Sequence, residues 1–191
     1  MAVRPIVLYR DRAHVLRAKS RRVGRLDRQA RKLIRDLKDT LVAHEEGIGL
    51  SAPQINVHKC IVVVRLSDPD DPSRGVGPPE ALIDPKIVEA GDERRDYDGC
   101  LSFPGLYGET VRPHHLLVTG LDERGKPFKR LFEGFDAVVV HHEMDHLDGV
   151  LFIDRIASVA DLYTITEDET GRAIRRPLEG IPIEPEADAS R

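Results

Sequence analysis

The sequence predicts an α+β fold: mostly antiparallel β-sheets packed around a central helix, with an amphipathic helix near the N-terminus. Three observations carry this reading. Leu26, Ala30, Leu33, Ile34, Leu37 and Leu41 recur at the spacing of one helical face, with Arg and Lys on the other. Several strand-like runs then follow one another instead of alternating with helices, which argues against a parallel βαβ sheet. A second helical segment comes only after them, followed by one more short strand.

The first helix is expected over about residues 25–45, with Gly47 as its stop. Gly47–Gln54 (GIGLSAPQ) opens on Gly and contains Pro, so it suits neither a regular helix nor a central strand. Residues 60–66 read as a buried, β-branched strand. Residues 67–80 hold four Pro and two Gly and are expected to form a mobile loop. Ala81–Asp84 and Lys86–Glu89 are short strands split by Pro85. Leu116–Leu121 and Pro127–Phe132 flank the turn-rich DERG tetrapeptide and predict a hairpin. The second helix should run from Phe135 to Leu147, capped by Asp136 and ended by Gly149. Val150–Ile153 resembles a last strand. Residues 1–160 are thus expected to form a single catalytic domain. Residues 161–191 form a polar tail, partly ordered at most, whose last ten residues are loose.

Composition narrows the class. Leu, Ile, Val and Phe make up 55 of the 191 residues, enough to build a core. No apolar run approaches the ~20 residues of a membrane span, and the N-terminal apolar stretch is too short for a secretory signal. A cytoplasmic protein with no membrane partner is expected. Two cysteines, Cys60 and Cys100, exclude a disulfide scaffold. The net charge of −4 hides an asymmetry: residues 1–35 carry twelve basic and two acidic side chains. Such a segment either solvates a helix face or meets a polyanion.

The chemistry centres on His142-Glu-Met-Asp-His146 within the second helix. Residues four apart share a helical face, so the two imidazoles can bind one metal ion while Glu143 serves as general base. A catalytic site needs a third protein ligand and an open position. Cys100, in Asp98-Gly-Cys-Leu-Ser102, is the attractive choice. Cys60, opening a β-branched run, reads as a small buried hydrophobe. Were Cys60 also a ligand, the site would be a closed structural Cys2His2 centre, and no enzyme would be required. An HExxH metalloprotease that cuts internal peptide bonds is a further alternative, but its third ligand normally lies downstream.

GIGLSAPQ (Gly47–Gln54), DGCLS (Asp98–Ser102) and HHEMDHLDG (His141–Gly149) resemble, in order and spacing, the three signature motifs of bacterial peptide deformylases. The likeness extends from about Ile6 to Arg155. It implies one divalent metal held by Cys100, His142 and His146: Fe(II) in the cell, with Zn, Ni or Co acceptable in a purified sample. It also implies hydrolysis of the N-formyl group from N-formylmethionyl nascent peptides, with Glu143 as general acid/base. The Gln54 amide and the Leu101 N–H would stabilise the oxyanion. Ile48, Gly49, Leu50, Gly99, Val138 and Val139 would bind the substrate, the backbone around Ile48–Leu50 pairing with the extended peptide. Three departures stand out: Ser51 for Ala, Asp98 for Glu, and His141 for Gln. The shortened Asp98 is expected to pair with Arg112, and His141, about 100° round the helix from His142, is not expected to share the metal. No sequence-specific nucleic-acid partner is implied. A substrate emerging from the ribosome makes ribosome docking through basic residues 1–35 an expectation.

Overall fold

The computed structural model describes residues 2–67, 76–167 and 172–178. Most of the proline-rich loop and the end of the tail lie outside them. In chain order the elements are α1 (Tyr9–Leu16), α2 (Arg28–Val42), β1 (Gly49–Ser51), a 3-10 turn (Ala52–Ile55), β2 (Ile61–Val64), β3 (Glu80–Gly99), β4 (Leu106–Leu121), β5 (Pro127–Glu133), α3 (Gly134–Leu147), two further 3-10 turns, β6 (Leu162–Glu167) and β7 (Ala173–Pro177). All strands pair antiparallel in one sheet of order β1-β2-β3-β4-β6-β7. The long β4 pairs with β6 through Leu106–Gly108 and with β5 through His115–Leu121.

β2 explains the layering. Its run of Ile61 and three valines is continuous because both faces are covered, and period-2 alternation sends them to opposite sides. Val62 and Val64 join Leu82, Leu116, Val118 and Phe132 against Ala137, Val140 and Met144 of α3. Ile61 and Val63 face Ile34, Leu37 and Leu41 of α2. A third cluster, with Leu16, Phe103, Phe152 and Leu162, seats the N-terminal segment. Helix α3 is exposed at its first turn and buried from Ala137 to Leu147, as a central helix must be.

Several boundaries differ from expectation. Helix α2 starts at Arg28 because the Asp27 carboxylate caps it, accepting the Ala30 N–H at 2.8 Å. It ends at Val42, five residues before Gly47. Asp136 caps nothing: α3 begins at Gly134, and the Asp136 carboxylate instead accepts the Ser67 N–H and hydroxyl, both at 3.1 Å. Pro85 does not divide two strands. β3 runs through it with register shifts on either side of residues 86–87, where a residue without an N–H is tolerated. Residues 152–155 form a 3-10 turn and not a strand; Asp154 closes it by accepting the Leu151 N–H at 2.8 Å. Helix α1, kinked at Arg12, and the outer arms of β3 and β4 were not expected. Beyond Asp161, β6 and β7 extend the sheet.

Candidate metal centre and its cavity

Three parts of the chain deliver one cluster. On α3, His142 and His146 are one turn apart, with ring centroids 5.1 Å from each other. At the end of β3 the chain turns at Gly99 and presents Cys100, whose Sγ lies 3.3 Å from His146 Nε2. One ligand atom from each of Cys100, His142 and His146 can be chosen so that all lie within 4.8 Å of one another. Cys60 is not in this group; it packs beside the α3 core cluster. One soft sulfur and two imidazoles suit Fe, Co, Ni or Zn and not a hard cation.

The surroundings orient these side chains. Against the lowering effect of burial, Asp98 and Cys100 push His142 well above the ordinary imidazole value, so a bound ion would take the place of a proton there. Asp98 Oδ1 accepts from His142 Nδ1 at 2.7 Å, which leaves Nε2 free to ligate. Asp98 Oδ2 accepts from Thr110 Oγ1 at 2.9 Å and from Arg112 Nε at 2.7 Å. Burial would raise the Asp98 carboxyl, but His142 and Arg112 together hold it well below the usual carboxylate range. Burial pushes His146 the other way, well below the ordinary imidazole value, so it stands neutral as a ligand should. The shortened acid still makes a close pair with Arg112, at 2.7 Å.

Arg112 has no exposed surface at all. Its guanidinium also donates to Asp145 Oδ2 and to His141 Nδ1, each at 2.8 Å. Arg155 grips Asp145 with a fork of 2.8 and 2.6 Å. His141 thus points away from the metal cluster and serves as an acceptor. Burial and Arg112 lower it to about 4. Thr110, Asp145 and Arg155 were not anticipated. Asp145, a carboxylate inside an otherwise buried helix, was the one readable signal.

Glu143 and Gln54 complete the surroundings of the cluster. Glu143 is buried, its Oε2 has no partner, and burial raises its carboxyl to about 7. Gly49 of β1 passes so close that a Cβ there would sit 2.7 Å from Glu143 Cγ. Gln54 stands on the 3-10 turn after β1. Its Oε1 accepts the Ser51 N–H and the Ser51 hydroxyl, both at 2.8 Å, which turns Nε2 toward Cys100 Sγ at 3.4 Å. The hydroxyl that replaces Ala therefore orients the amide. The Leu101 N–H, next to the thiol, is taken by no other group among the described residues.

A cavity of about 570 Å³ opens onto this cluster. Ile48, Gly49, Gln54, Gly99, Leu101, Val138, Val139, His142 and Glu143 line it. The Leu50 side chain does not: it is fully buried in the α2 core cluster, and only its backbone, on the edge strand β1, is near. Tyr97 of β3, Phe103 of the following turn, Tyr107 of β4 and Phe135 of α3 add aromatic lining that sequence reasoning missed, because they come from four separate parts of the chain with no shared pattern.

Comparisons with known proteins agree with one another. A family model described as polypeptide deformylase matches residues 3–161. The chain is 41% identical to peptide deformylase 2 of Prochlorococcus marinus over 166 residues, 86% of this chain and 80% of the relative. It is 42% identical to the peptide deformylase of Thermomicrobium roseum, covering 88% and 94%. Among solved structures it resembles a peptide deformylase from Synechococcus elongatus in complex with actinonin, with a TM-score of 0.70, 40% identity, and 80% and 78% of the two chains covered. A peptide deformylase from Thermotoga maritima superposes with a TM-score of 0.72 at 34% identity, covering 83% and 100%.

Proposed function

The chain belongs to the polypeptide deformylase family, and we propose that it removes the formyl group from N-formylmethionyl peptides with a divalent ion held by Cys100, His142 and His146. The observation that carries this is the convergence of that donor set with Glu143 and Gln54 on one cavity. The donors fit an ion: His142 keeps one nitrogen for it, His146 is neutral, and the sulfur is 3.3 Å from His146. When bound, such an ion supplies Lewis acidity and lowers the pKa of water.

The remaining steps fall to the protein. The free edge of β1 offers its backbone to an extended peptide, as in strand addition. Ile48, Val138 and Val139 provide apolar wall for the methionine side chain. Glu143 accepts the proton of the attacking water and passes it to the departing amine, and a buried carboxyl raised to about 7 is well matched to both roles. Gln54 Nε2 and the Leu101 N–H donate to the oxygen that becomes negative as the formyl carbon turns tetrahedral. Fixed in advance by Ser51 and the turn at Cys100, they need no reorganisation then. Iron in a cytoplasmic setting is our reading for the working enzyme. No helix among the described residues is long and apolar enough to cross a membrane.

The test is formate release from a formyl-Met peptide by anaerobically Fe(II)-loaded protein. Steady turnover is expected; a loaded, folded protein that releases no formate would overturn the reading. A closed structural Cys2His2 site has no support, since Cys60 packs elsewhere; Cys60→Ser is expected to keep both metal and turnover.

A further inference from the structure

The charge asymmetry of the sequence becomes a surface in the fold. All but one of the twelve basic side chains in residues 1–35 are exposed. Arg12, Arg21, Arg25, Arg28 and Arg35 form no ion pair among the described residues. Arg28, Arg31 and Arg35 share one stripe of α2, at i, i+3 and i+7. Around the helix, Arg4, Arg25, Lys32 and Lys59 line a cavity of about 280 Å³ between α2 and the start of β2. Arg21 adjoins the same patch: its backbone bridges to Lys59, and Cys60 N–H donates to its carbonyl at 2.9 Å.

The nearby carboxylates are already used. Asp27 caps α2, Asp36 is buried beneath Arg4 and Lys32, and Asp84 is buried while accepting the Val23 and Gly24 N–H groups. Arg4 and Lys32 share Asp36, so the unneutralised positive charge of the face is that of Arg21, Arg25, Arg28 and Arg35, on a rigid support. It runs along the first half of a 15-residue helix whose other end leads to His44 and Glu46 at the catalytic cavity; along the axis, Val42 is roughly 21 Å from Arg28 and roughly 10 Å from Arg35 at 1.5 Å per residue.

We infer that this face docks on the phosphodiester backbone of RNA. Ten of the twelve basic residues in the segment are arginine, whose planar fork matches phosphate. A lipid surface fits poorly, because no large apolar side chain is exposed between residues 17 and 35. The choice of RNA over DNA rests on the proposed substrate, a newly made chain emerging from an RNA-rich particle. Recognition is through charge alone, without reading of bases.

The test uses the full-length protein and a fluorescein-labelled RNA hairpin of mixed sequence, followed by anisotropy across a salt series. Three to five phosphate contacts predict that affinity falls roughly 40- to 500-fold between about 50 and 200 mM salt. Arg25→Gln/Arg28→Gln/Arg35→Gln should lower the slope of log K against log salt by about 3. A matched variant, Lys86→Gln/Arg94→Gln/Lys129→Gln, removes the same charge from the sheet and should bind as wild type does. Both variants should turn over a short formyl-Met peptide at the wild-type rate, so a failure of the catalytic reading shows in that assay and not in this one. Salt-insensitive binding, equal loss in both variants, or equally tight binding of polyglutamate or phosphatidylglycerol vesicles would each overturn the inference.

Discussion

Asp98 Oδ1 lies 2.7 Å from His142 Nδ1, so a carboxylate on β3 fixes which nitrogen of a helix imidazole is left for a metal. Asp98→Asn can still occupy the position but cannot carry the charge that makes His142 a stronger donor. Such a change should weaken metal affinity by about 10–100-fold. Competition of the loaded protein against a chelator measures this, and unchanged retention would refute the role given to Asp98.

Arg112 is wholly buried between Asp98 and Asp145. Removing it leaves both carboxylates desolvated without their shared partner, although Arg155 still holds Asp145. Arg112→Ala should therefore cost about 3–5 kcal/mol of stability. Urea unfolding reads the change; a loss below ~1 kcal/mol would mean that water or Arg155 replaces the guanidinium.

Gly49 is tied to Glu143 by lack of space. A methyl group there would press on Glu143 Cγ at 2.7 Å and push the carboxylate out of line. Since a misplacement of about 1 Å can cost on the order of 100-fold in rate, Gly49→Ala should lose turnover on that scale while keeping its metal. Loss of metal together with activity would show that the substitution disrupts the whole site instead.

Ser51 acts on Gln54 through two hydrogen bonds, of which only the hydroxyl's depends on the side chain. A neutral hydrogen bond contributes about 0.5–1.5 kcal/mol net. Ser51→Ala should thus reduce kcat by no more than roughly tenfold, with little change in KM, because the amide backbone still holds Oε1. A large rise in KM would place Ser51 in substrate binding.

The site was more legible than the fold around it. His142 and His146 announce themselves by helical spacing and Cys100 as the candidate third ligand, whereas Gln54 was legible only through the resemblance to the deformylase motifs. Arg112 was expected only because the resemblance implies a pair with Asp98, and Asp145 and Arg155 close the same buried network from parts of the chain with no shared pattern. The outer arms of β3 and β4 were invisible because residues such as Glu93, Arg94 and Arg95 are exposed on a two-stranded extension and show no apolar alternation. Residues 150–153 have strand-like composition, yet Asp154 reaches back to Leu151 and the segment coils instead. Asp136 had the right residue type for a cap; its position was decided by Ser67, a tertiary neighbour.

The account turns on Glu143 as the proton carrier beside a metal held by three other side chains. The most direct test measures metal content and formate release of Glu143→Ala in parallel with the wild type. The account predicts one metal per chain in both proteins and turnover lowered by about 10²–10⁴-fold in the variant. A variant with full metal that releases formate at the wild-type rate would contradict it.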